Sequence, residues 1–274
     1  MRKGANTYAS TGTSGLAFQI VTITIIAPIY LVIHLLSTPV ATSLQSVLID
    51  RADLDALPWA TFVAFVLPTA LLGLPLFSTG SSTAQYTAIA IWQPFPLYQS
   101  ILQPLFRVFT AQRSGAQGPL MAEDYKLALR KPYLFAVVLA MGTHLFVVAT
   151  VIASHVTELH SPISLAELLL PEPLLQPATL VLSSGHLIST AAAKRIVLSF
   201  LQWDVYCTCA AFVTWAALLL YRTKKGLGLF GILTKTMIWS VLGGPVTPAI
   251  MMLWERDLGL LKEQGALPMN KKKN

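Results

Sequence analysis

Residues 132–156 read PYLFAVVLAMGTHLFVVATVIASHV and contain no Asp, Glu, Lys or Arg. A helix needs about 20 apolar residues to cross a bilayer, so this stretch is long enough to span one. Across all 274 residues, 54% are hydrophobic and 11% are charged, whereas soluble globular domains are about a quarter charged. The composition excludes an ordinary cytosolic enzyme and a disordered protein, and it predicts an all-α polytopic membrane protein.

Similar apolar blocks lie on both sides of this stretch. They predict a single membrane domain, 1–274, built as a transmembrane helical bundle with spans at 15–37, 57–77, 85–110, 132–156, 196–221 and 229–254. A polar leader is expected at 1–14 and a basic tail at 258–274. The stretch 161–182 is apolar but contains interior prolines, which break helices. It is expected to form a cap over one end of the bundle, or a weak seventh span.

The chain carries a formal net charge of +7, and most of its cations fall in loops and termini. This distribution is typical of membrane orientation and contact with lipid headgroups, and it argues against a nucleic-acid partner. The last residues include Lys271–Lys273, which resemble the dilysine retrieval signal of endoplasmic-reticulum membrane proteins. We therefore expect an integral membrane protein of that compartment, with a plain solubilising tail as the alternative.

Asp204 is the strongest functional candidate, because a charged group inside the membrane is costly and usually serves function. It lies eight residues into the fifth predicted span, about 12 Å along the helix. Thr208 and Trp215 continue its helical face. His144 and His34 also lie within predicted spans. The alternative for Asp204 is a structural hydrogen bond to a neighbouring helix.

The sixth predicted span contains Gly243–Pro248, a GGPVTP run that must disrupt helical hydrogen bonding. Such a break is tolerated in a membrane only beside protein or a cavity. If the fifth and sixth spans are antiparallel neighbours, Asp204 lies level with this break and should reach it. The same geometry places Glu255 level with Lys194 and Arg195, so Glu255 forms an ion pair there or takes part in catalysis.

The third predicted span carries a polar seam on one helical face. Its members are Gln85, Trp92, Gln99 and Gln103, and Gln93 precedes Pro94-Phe95-Pro96. Because amides facing lipid are unfavourable, the seam is expected to face the bundle. It serves either helix–helix hydrogen bonding or the lining of a cavity.

The sequence lacks the characteristic motifs of several classes of enzyme. The sequence has no DDxxD, DxDD or NDxxD acid motif, no GxSxG hydrolase motif and no clustered histidines. Cys207 and Cys209 are two apart on a helix, so they cannot share a metal. We expect no metal site and no cofactor. A helical bundle with few acids and many aromatics suits acid-initiated carbocation chemistry on a lipid, in which a buried acid donates a proton and ring faces stabilise the cation.

Short motifs in the chain support this expectation. They are Pro28-Ile29-Tyr30-Leu31 with His34-Leu35-Leu36, Trp92-Gln93-Pro94-Phe95-Pro96, Gln202-Trp203-Asp204 with Trp215-Ala216, and Gly244-Pro245 with Trp254-Glu255-Arg256-Asp257. Their order resembles that of fungal integral-membrane terpene cyclases of meroterpenoid pathways, the ascochlorin and ascofuranone type. The resemblance covers residues 15 to 260. Relative to typical members, the sequence is expected to lack apolar helices before residue 15.

The resemblance implies cyclisation, without metal, of a farnesylated aromatic compound, usually after epoxidation of its terminal double bond. Asp204 is then the expected proton donor, and His34 or Glu255 would orient groups or accept a proton. The expected substrate-binding residues are Tyr30, Trp92, Gln93, Gln99, Trp203, Trp215 and Trp239. The alternatives are a transporter of such a metabolite, although no internal repeat is apparent, and a non-catalytic membrane component of a biosynthetic cluster.

Overall fold

The computed structural model describes residues 15–19, 21–37, 48–73, 82–114, 122–156, 164, 166, 190–224 and 226–265. Within these residues every regular element is helical. The helices are α1 (Ile23–Ser37), α2 (Arg51–Thr61), α3 (Leu67–Leu72), α4 (Ser82–Trp92), α5 (Phe95–Ser114), α6 (Ala122–Val156), α7 (Thr190–Thr223), α8 (Leu229–Gly243) and α9 (Thr247–Gly265). A π-helical turn, Phe62–Val66, joins α2 to α3. The predicted all-α bundle is confirmed.

Among the described residues, three stretches are long and apolar enough to cross a membrane: Arg51–Leu72, Glu123–Val156 and Ile196–Thr223. Helices α1 and α8 are apolar but shorter. The predicted spans around 132–156 and 196–221 therefore appear as continuous helices. The predicted leader 1–14 and nearly all of the proposed cap 161–182 lie outside the described residues, as do residues 266–274.

Helix α6 connects two groups of helices. On one side it packs against α2, which in turn packs against α5. On the other side it packs against α8 and α9, and α9 packs against α7, which also contacts α1. Two apolar clusters lie in the interior of the described bundle, one where α2, α6 and α9 meet and one between α7 and α9.

The first cluster contains Leu54, Tyr125, Ala128, Leu129, Leu260 and Leu261, and the second contains Ala216, Leu220, Ala249 and Met252. Residues 258–265 were assigned to a basic tail, but the structure continues α9 through them. The physical reason is the burial of Leu260 and Leu261, which are 4% and 5% exposed. The helix continues because these leucines pack against α2 and α6.

The predicted third span is broken between α4 and α5. The chain makes a turn at Gln93 and Pro94 before α5 begins at Phe95. Proline lacks a backbone donor and disfavours a helical conformation in the residue before it. The helical face assumed to join Gln85 and Trp92 to Gln99 and Gln103 is therefore divided between two helices.

The predicted sixth span is a helical hairpin and not one crossing. In a continuous helix, residues 235 and 255 would lie about 30 Å apart. Instead, Lys235 Nζ lies 2.7 Å from Glu255 Oε2. The chain reverses at residues 244–246, where Gly244 adopts φ +83° and ψ 175°. This region of backbone space is essentially restricted to glycine.

We expect Gly244→Ala to destabilise the protein by about 1–3 kcal/mol, because the substituted residue is forced into a strained backbone conformation. An added Cβ would also lie 3.1 Å from the His144 ring. Thermal unfolding in detergent measures the effect. Gly142→Ala is the matched control: a Cβ there meets nothing within 4 Å, and alanine in a helix should stabilise by about 0.5–1 kcal/mol. Equal unfolding temperatures for the two variants would contradict the strain at Gly244.

Candidate functional site

Asp204 lies on α7 against the beginning of α1. Its Oδ1 accepts a hydrogen bond from the backbone N–H of Thr24 at 3.2 Å and another from the Thr24 hydroxyl. Because α1 begins at Ile23, Thr24 lies in its first turn, where backbone N–H groups lack helical partners. Asp204 therefore caps α1 from a neighbouring helix, and the helix dipole favours a carboxylate at this end.

The environment of Asp204 differs from that of the other inward-facing acids. Among the described side chains, four further acids are buried or half-buried, and each has a cationic partner: Asp53 with Arg107, Asp55 with Arg51 and Lys131, Glu255 with Lys224 and Lys235, and Asp257 with Arg256. Asp204 is half-buried in an apolar helix and has only Thr24 as a described hydrogen-bond partner. Its Oδ2 makes no hydrogen bond within the described part of the chain.

The Gly243–Pro248 break contacts α6, whereas the hydrogen bonds of Asp204 go to α1. Gly244 lies against the ring of His144, and His144 Nε2 is 3.3 Å from the carbonyl oxygen of Val241. A Cβ at Gly243 would lie 2.7 Å from Met141. The expected pairing of Asp204 with the break assumed that α8 packs beside α7, but α8 packs mainly against α6 and α9.

His34 and Trp215 form a second contact between α1 and α7. The indole Nε1 of Trp215 donates to His34 Nδ1 at 3.3 Å, and the two rings meet edge to face with centroids 5.3 Å apart. Phe212 lies edge-on to the same indole at 6.4 Å. In neutral His34 the proton then resides on Nε2. This arrangement suits a residue that orients Trp215 better than one that accepts a proton.

The contacts of α1 and α7 also define how the two helices run. Thr24 pairs with Asp204, and ten residues later His34 pairs with Trp215. The two helices are therefore parallel and in register along this interface. Asp204 and Trp215 are separated by about 16 Å along α7, so the acid and the aromatic residues lie along one seam between two helices.

Glu255 binds two lysines near the turn between α7 and α8. One carboxylate oxygen pairs with Lys224 and the other lies 2.7 Å from Lys235 Nζ. The expected partners Lys194 and Arg195 have side chains outside the described set, and the chain reversal explains the different pairing. Burial raises the pKa of Glu255, but the hydrogen bonds and charges of the two lysines outweigh it and leave the pKa below its usual value. Glu255 is thus ionised at neutral pH and is no proton donor.

The lowered pKa of Glu255 predicts a pH-dependent contribution to stability. A carboxyl with a lowered pKa in the folded state stabilises the fold fully above its unfolded pKa, about 4.3. That contribution decreases as the pH falls through the folded-state value. Comparing unfolding temperatures of wild type and Glu255→Gln from pH 7 to pH 3 measures it. We expect the difference between them to shrink in acid, and a difference that stays constant would contradict the ion pairs.

A buried polar cluster lies close to Glu255. The carboxylate of Asp257, 9% exposed, accepts hydrogen bonds from the Tyr133 hydroxyl at 2.6 Å and from Arg256 Nε at 2.8 Å. The Trp254 ring stacks on Tyr133 with centroids 5.7 Å apart. The sequence analysis named Trp254, Arg256 and Asp257 as part of a motif but did not predict their contacts with Tyr133. The adjacent opposite charges at the end of an apolar helix were the available signal, but Tyr133 lies 124 residues away in sequence.

Trp92, Gln93 and Gln99 lie in the other helix group. The Trp92 indole donates to Thr69 Oγ1 at 2.9 Å, and its ring contacts Phe65 and Phe95. Gln93 is exposed at the turn.

One member of the polar seam, Gln103, forms a contact between helices. Gln99 donates weakly to Gln103, whose amide donates to the backbone oxygen of Asp53 at 3.1 Å. Gln85 is exposed, contrary to expectation, because the break at Pro94 separates it from the inward-facing glutamines. The described seam thus holds α5 to α2.

The remaining expected substrate-binding residues are dispersed. Tyr30 on α1 is 41% exposed. Trp203 precedes Asp204 and is half-buried, and Trp239 is half-buried on α8. Within the described residues no group of three or more His, Cys, Asp or Glu side chains is arranged to hold a metal ion. Of the expected set, Asp204, His34 and Trp215 share the α1–α7 seam.

Comparison with known proteins places the chain among fungal relatives. It is 27% identical over 251 residues to terpene cyclase ascI of Acremonium egyptiacum, covering 89% of this chain and 61% of that protein. It is 22% identical over 251 residues to terpene cyclase atmA of Aspergillus flavus, covering 89% of this chain and 65% of that protein. The chain thus spans less than two thirds of the length of either relative. No solved structure matches it.

A family profile covers nearly the whole chain. The CtvD domain profile matches residues 1–261, which end within α9. Together with the two terpene cyclases, this match confirms the resemblance inferred from the short motifs. The chain belongs to the CtvD domain family.

Proposed function

We propose that this chain acts as a membrane-bound, metal-independent terpene cyclase on a farnesylated or epoxyfarnesylated aromatic compound. Two relatives carry the name terpene cyclase. The apolar helices suit a lipophilic substrate, and the Lys271–Lys273 run, which resembles a dilysine retrieval signal, favours the endoplasmic-reticulum membrane as its location.

One observation carries the proposed chemistry. Asp204 is the half-buried acid without a cationic partner among the described side chains, and it lies within the apolar stretch Ile196–Thr223. Acids paired with Lys or Arg are held as carboxylates and cannot donate a proton. Asp204 uses Oδ1 to cap α1 and keeps Oδ2 for the substrate.

In the proposed reaction, protonated Asp204 transfers its proton from Oδ2 to the substrate terminus. The cation formed there is attacked by a double bond of the same chain, which forms the ring. Phe212 and Trp215 lie along the same helix and can stabilise positive charge with their ring faces. The final cation loses a proton, so the product is an isomer of the substrate.

The test is expression in microsomes supplied with a panel of farnesylated phenols and their terminal epoxides. We expect at least one substrate to yield a product of unchanged mass and different retention. Microsomes without the protein are the control. If no member of the panel is converted, or if products differ in mass from their substrates, the proposed cyclase function is wrong.

A further inference from the structure

Thr208 is a buried hydroxyl without a partner. The residue is 8% exposed, and its Oγ1 makes no hydrogen bond within the described part of the chain. Buried polar groups are nearly always hydrogen-bonded, and an exception calls for an explanation such as a ligand. The atom lies on α7, one turn after Asp204 and on the same helical face.

Other threonines in the apolar helices show what Thr208 lacks. A threonine in a helix commonly donates to the carbonyl four residues earlier. Ten threonines of the described helices do so: Thr69, Thr87, Thr110, Thr143, Thr150, Thr214, Thr223, Thr234, Thr236 and Thr247. For Thr208 that carbonyl belongs to Asp204, and the hydroxyl of Thr24 donates to it instead at 3.4 Å.

The hydroxyl of Thr24 therefore lies between the carboxylate and the backbone carbonyl of Asp204 on α7. It donates to the Asp204 carboxylate and lies 3.4 Å from the Asp204 carbonyl oxygen. The register of α1 and α7 places Thr208 level with Ala27, which is 1% exposed. The hydroxyl oxygen of Thr24 thus lies beside Asp204, one helical turn from the Thr208 hydroxyl, which makes no hydrogen bond within the described part of the chain.

The first turn of α1, which carries Thr24, is irregular on both sides. Thr22 has φ +107°, which a β-branched residue rarely adopts, and it interrupts the helix before Ile23. Pro28 lies inside α1 and removes the backbone donor for the Thr24 carbonyl. The turn carrying Thr24 is thus weakly connected to its own helix on both sides.

We propose that Thr208 is a positioning residue for the oxygen atom that Asp204 protonates, and that this oxygen binds beside Asp204 Oδ2 while the Thr24 hydroxyl keeps its hydrogen bond to Oδ1. The proposal rests on the proposed cyclase function and specifies a substrate with an oxygen-bearing terminus, such as an epoxide. A bare alkene has no lone pair to accept the Thr208 hydrogen bond.

The proposed step is the acid-catalysed opening of the epoxide. The Thr208 hydroxyl donates a hydrogen bond to the epoxide oxygen and remains protonated. Asp204 transfers its proton to that oxygen, the carbon–oxygen bond breaks with its electron pair going to oxygen, and a hydroxyl group forms. The neighbouring double bond attacks the carbon, and a proton is lost from the last cation. No oxidant, reductant or other reactant is consumed.

The experiment compares two probes, a farnesylated phenol and its terminal epoxide, with the protein in lipid nanodiscs. Binding is followed by quenching of tryptophan fluorescence, and turnover is measured separately. In Thr208→Val we expect affinity for the epoxide to fall roughly three- to tenfold, the effect of one lost hydrogen bond. Affinity for the alkene should not change. Thr208→Ser should restore epoxide binding, and Thr214→Val, an exposed threonine of the same helix, should match wild type.

Each outcome decides the proposal. Equal weakening of both probes by Thr208→Val, or failure of serine to rescue, assigns Thr208 to packing and overturns it. Equal binding of both probes by wild type also overturns it. If wild type prefers the epoxide through Thr208 but converts neither probe, the role of Thr208 in binding stands and the cyclase function fails.

Discussion

Asp204→Asn is expected to lower turnover by about 10²–10⁴-fold, the usual contribution of general acid catalysis. Asparagine has nearly the same size as aspartate, and its side-chain oxygen can still accept the hydrogen bonds of Thr24 that cap α1. It has no carboxyl proton to deliver. Turnover in microsomes, normalised to protein level, measures the effect, and the protein level should stay close to wild type.

Asp124→Asn is the matched control, since Asp124 is an exposed acid in the first turn of α6 and its loss should leave turnover unchanged. His34→Ala should cost less than Asp204→Asn, because His34 touches the indole of Trp215 and not the acid. Addition of a chelator should not change activity if the proton alone starts the reaction. A fully active, well-expressed Asp204→Asn protein would remove Asp204 as the proton donor.

Asp257→Ala is expected to produce the largest loss of stability, about 3–5 kcal/mol, because it leaves a buried guanidinium without its counter-charge. The side chains of Arg256 and Asp257 are 13% and 12% exposed. The substitution also removes the acceptor of the Tyr133 hydroxyl. Thermal unfolding in detergent should show a decrease in Tm on the order of 10 °C.

Two comparisons separate this effect from general damage. Tyr133→Phe removes one hydrogen bond to the buried carboxylate and keeps the ring stacked on Trp254, so a smaller loss of about 1–3 kcal/mol is expected. Glu123→Ala removes an acid that is 85% exposed and paired only with Lys126, so its Tm should stay near wild type. If Asp257→Ala unfolds at the temperature of Glu123→Ala, the Tyr133–Asp257–Arg256 cluster does not stabilise the bundle.

Apolar composition was sufficient to predict the two long helices α6 and α7. The block 132–156 lies within α6 and the block 196–221 lies within α7. Both helices begin before their apolar blocks, because polar residues such as Glu123 and Lys194 continue a helix outside the hydrocarbon. Hydropathy detects the part of a helix that lipid favours, and it does not detect the polar turns that extend it.

Hydropathy could not predict the course of the chain through the two broken spans. Pro94 and the Gly243–Pro248 run were recognised as disruptive, but a disruption can bend a helix or reverse the chain. The reversal at Gly244 depends on its positive φ and on the close approach of His144 from α6. Those contacts exist only once distant helices have packed, so the ion pairs of Glu255 with Lys224 and Lys235 could not be predicted from the sequence.

The sequence by itself determined the class of the protein and its long apolar helices and made Asp204 the leading candidate for function, because each follows from the cost of placing charge in lipid. Only the tertiary structure decided which groups meet. It placed Thr24 on Asp204, His34 on Trp215 and Tyr133 on Asp257. These pairs join residues more than a hundred positions apart, and side-chain packing between whole helices, which no local pattern encodes, brings them together.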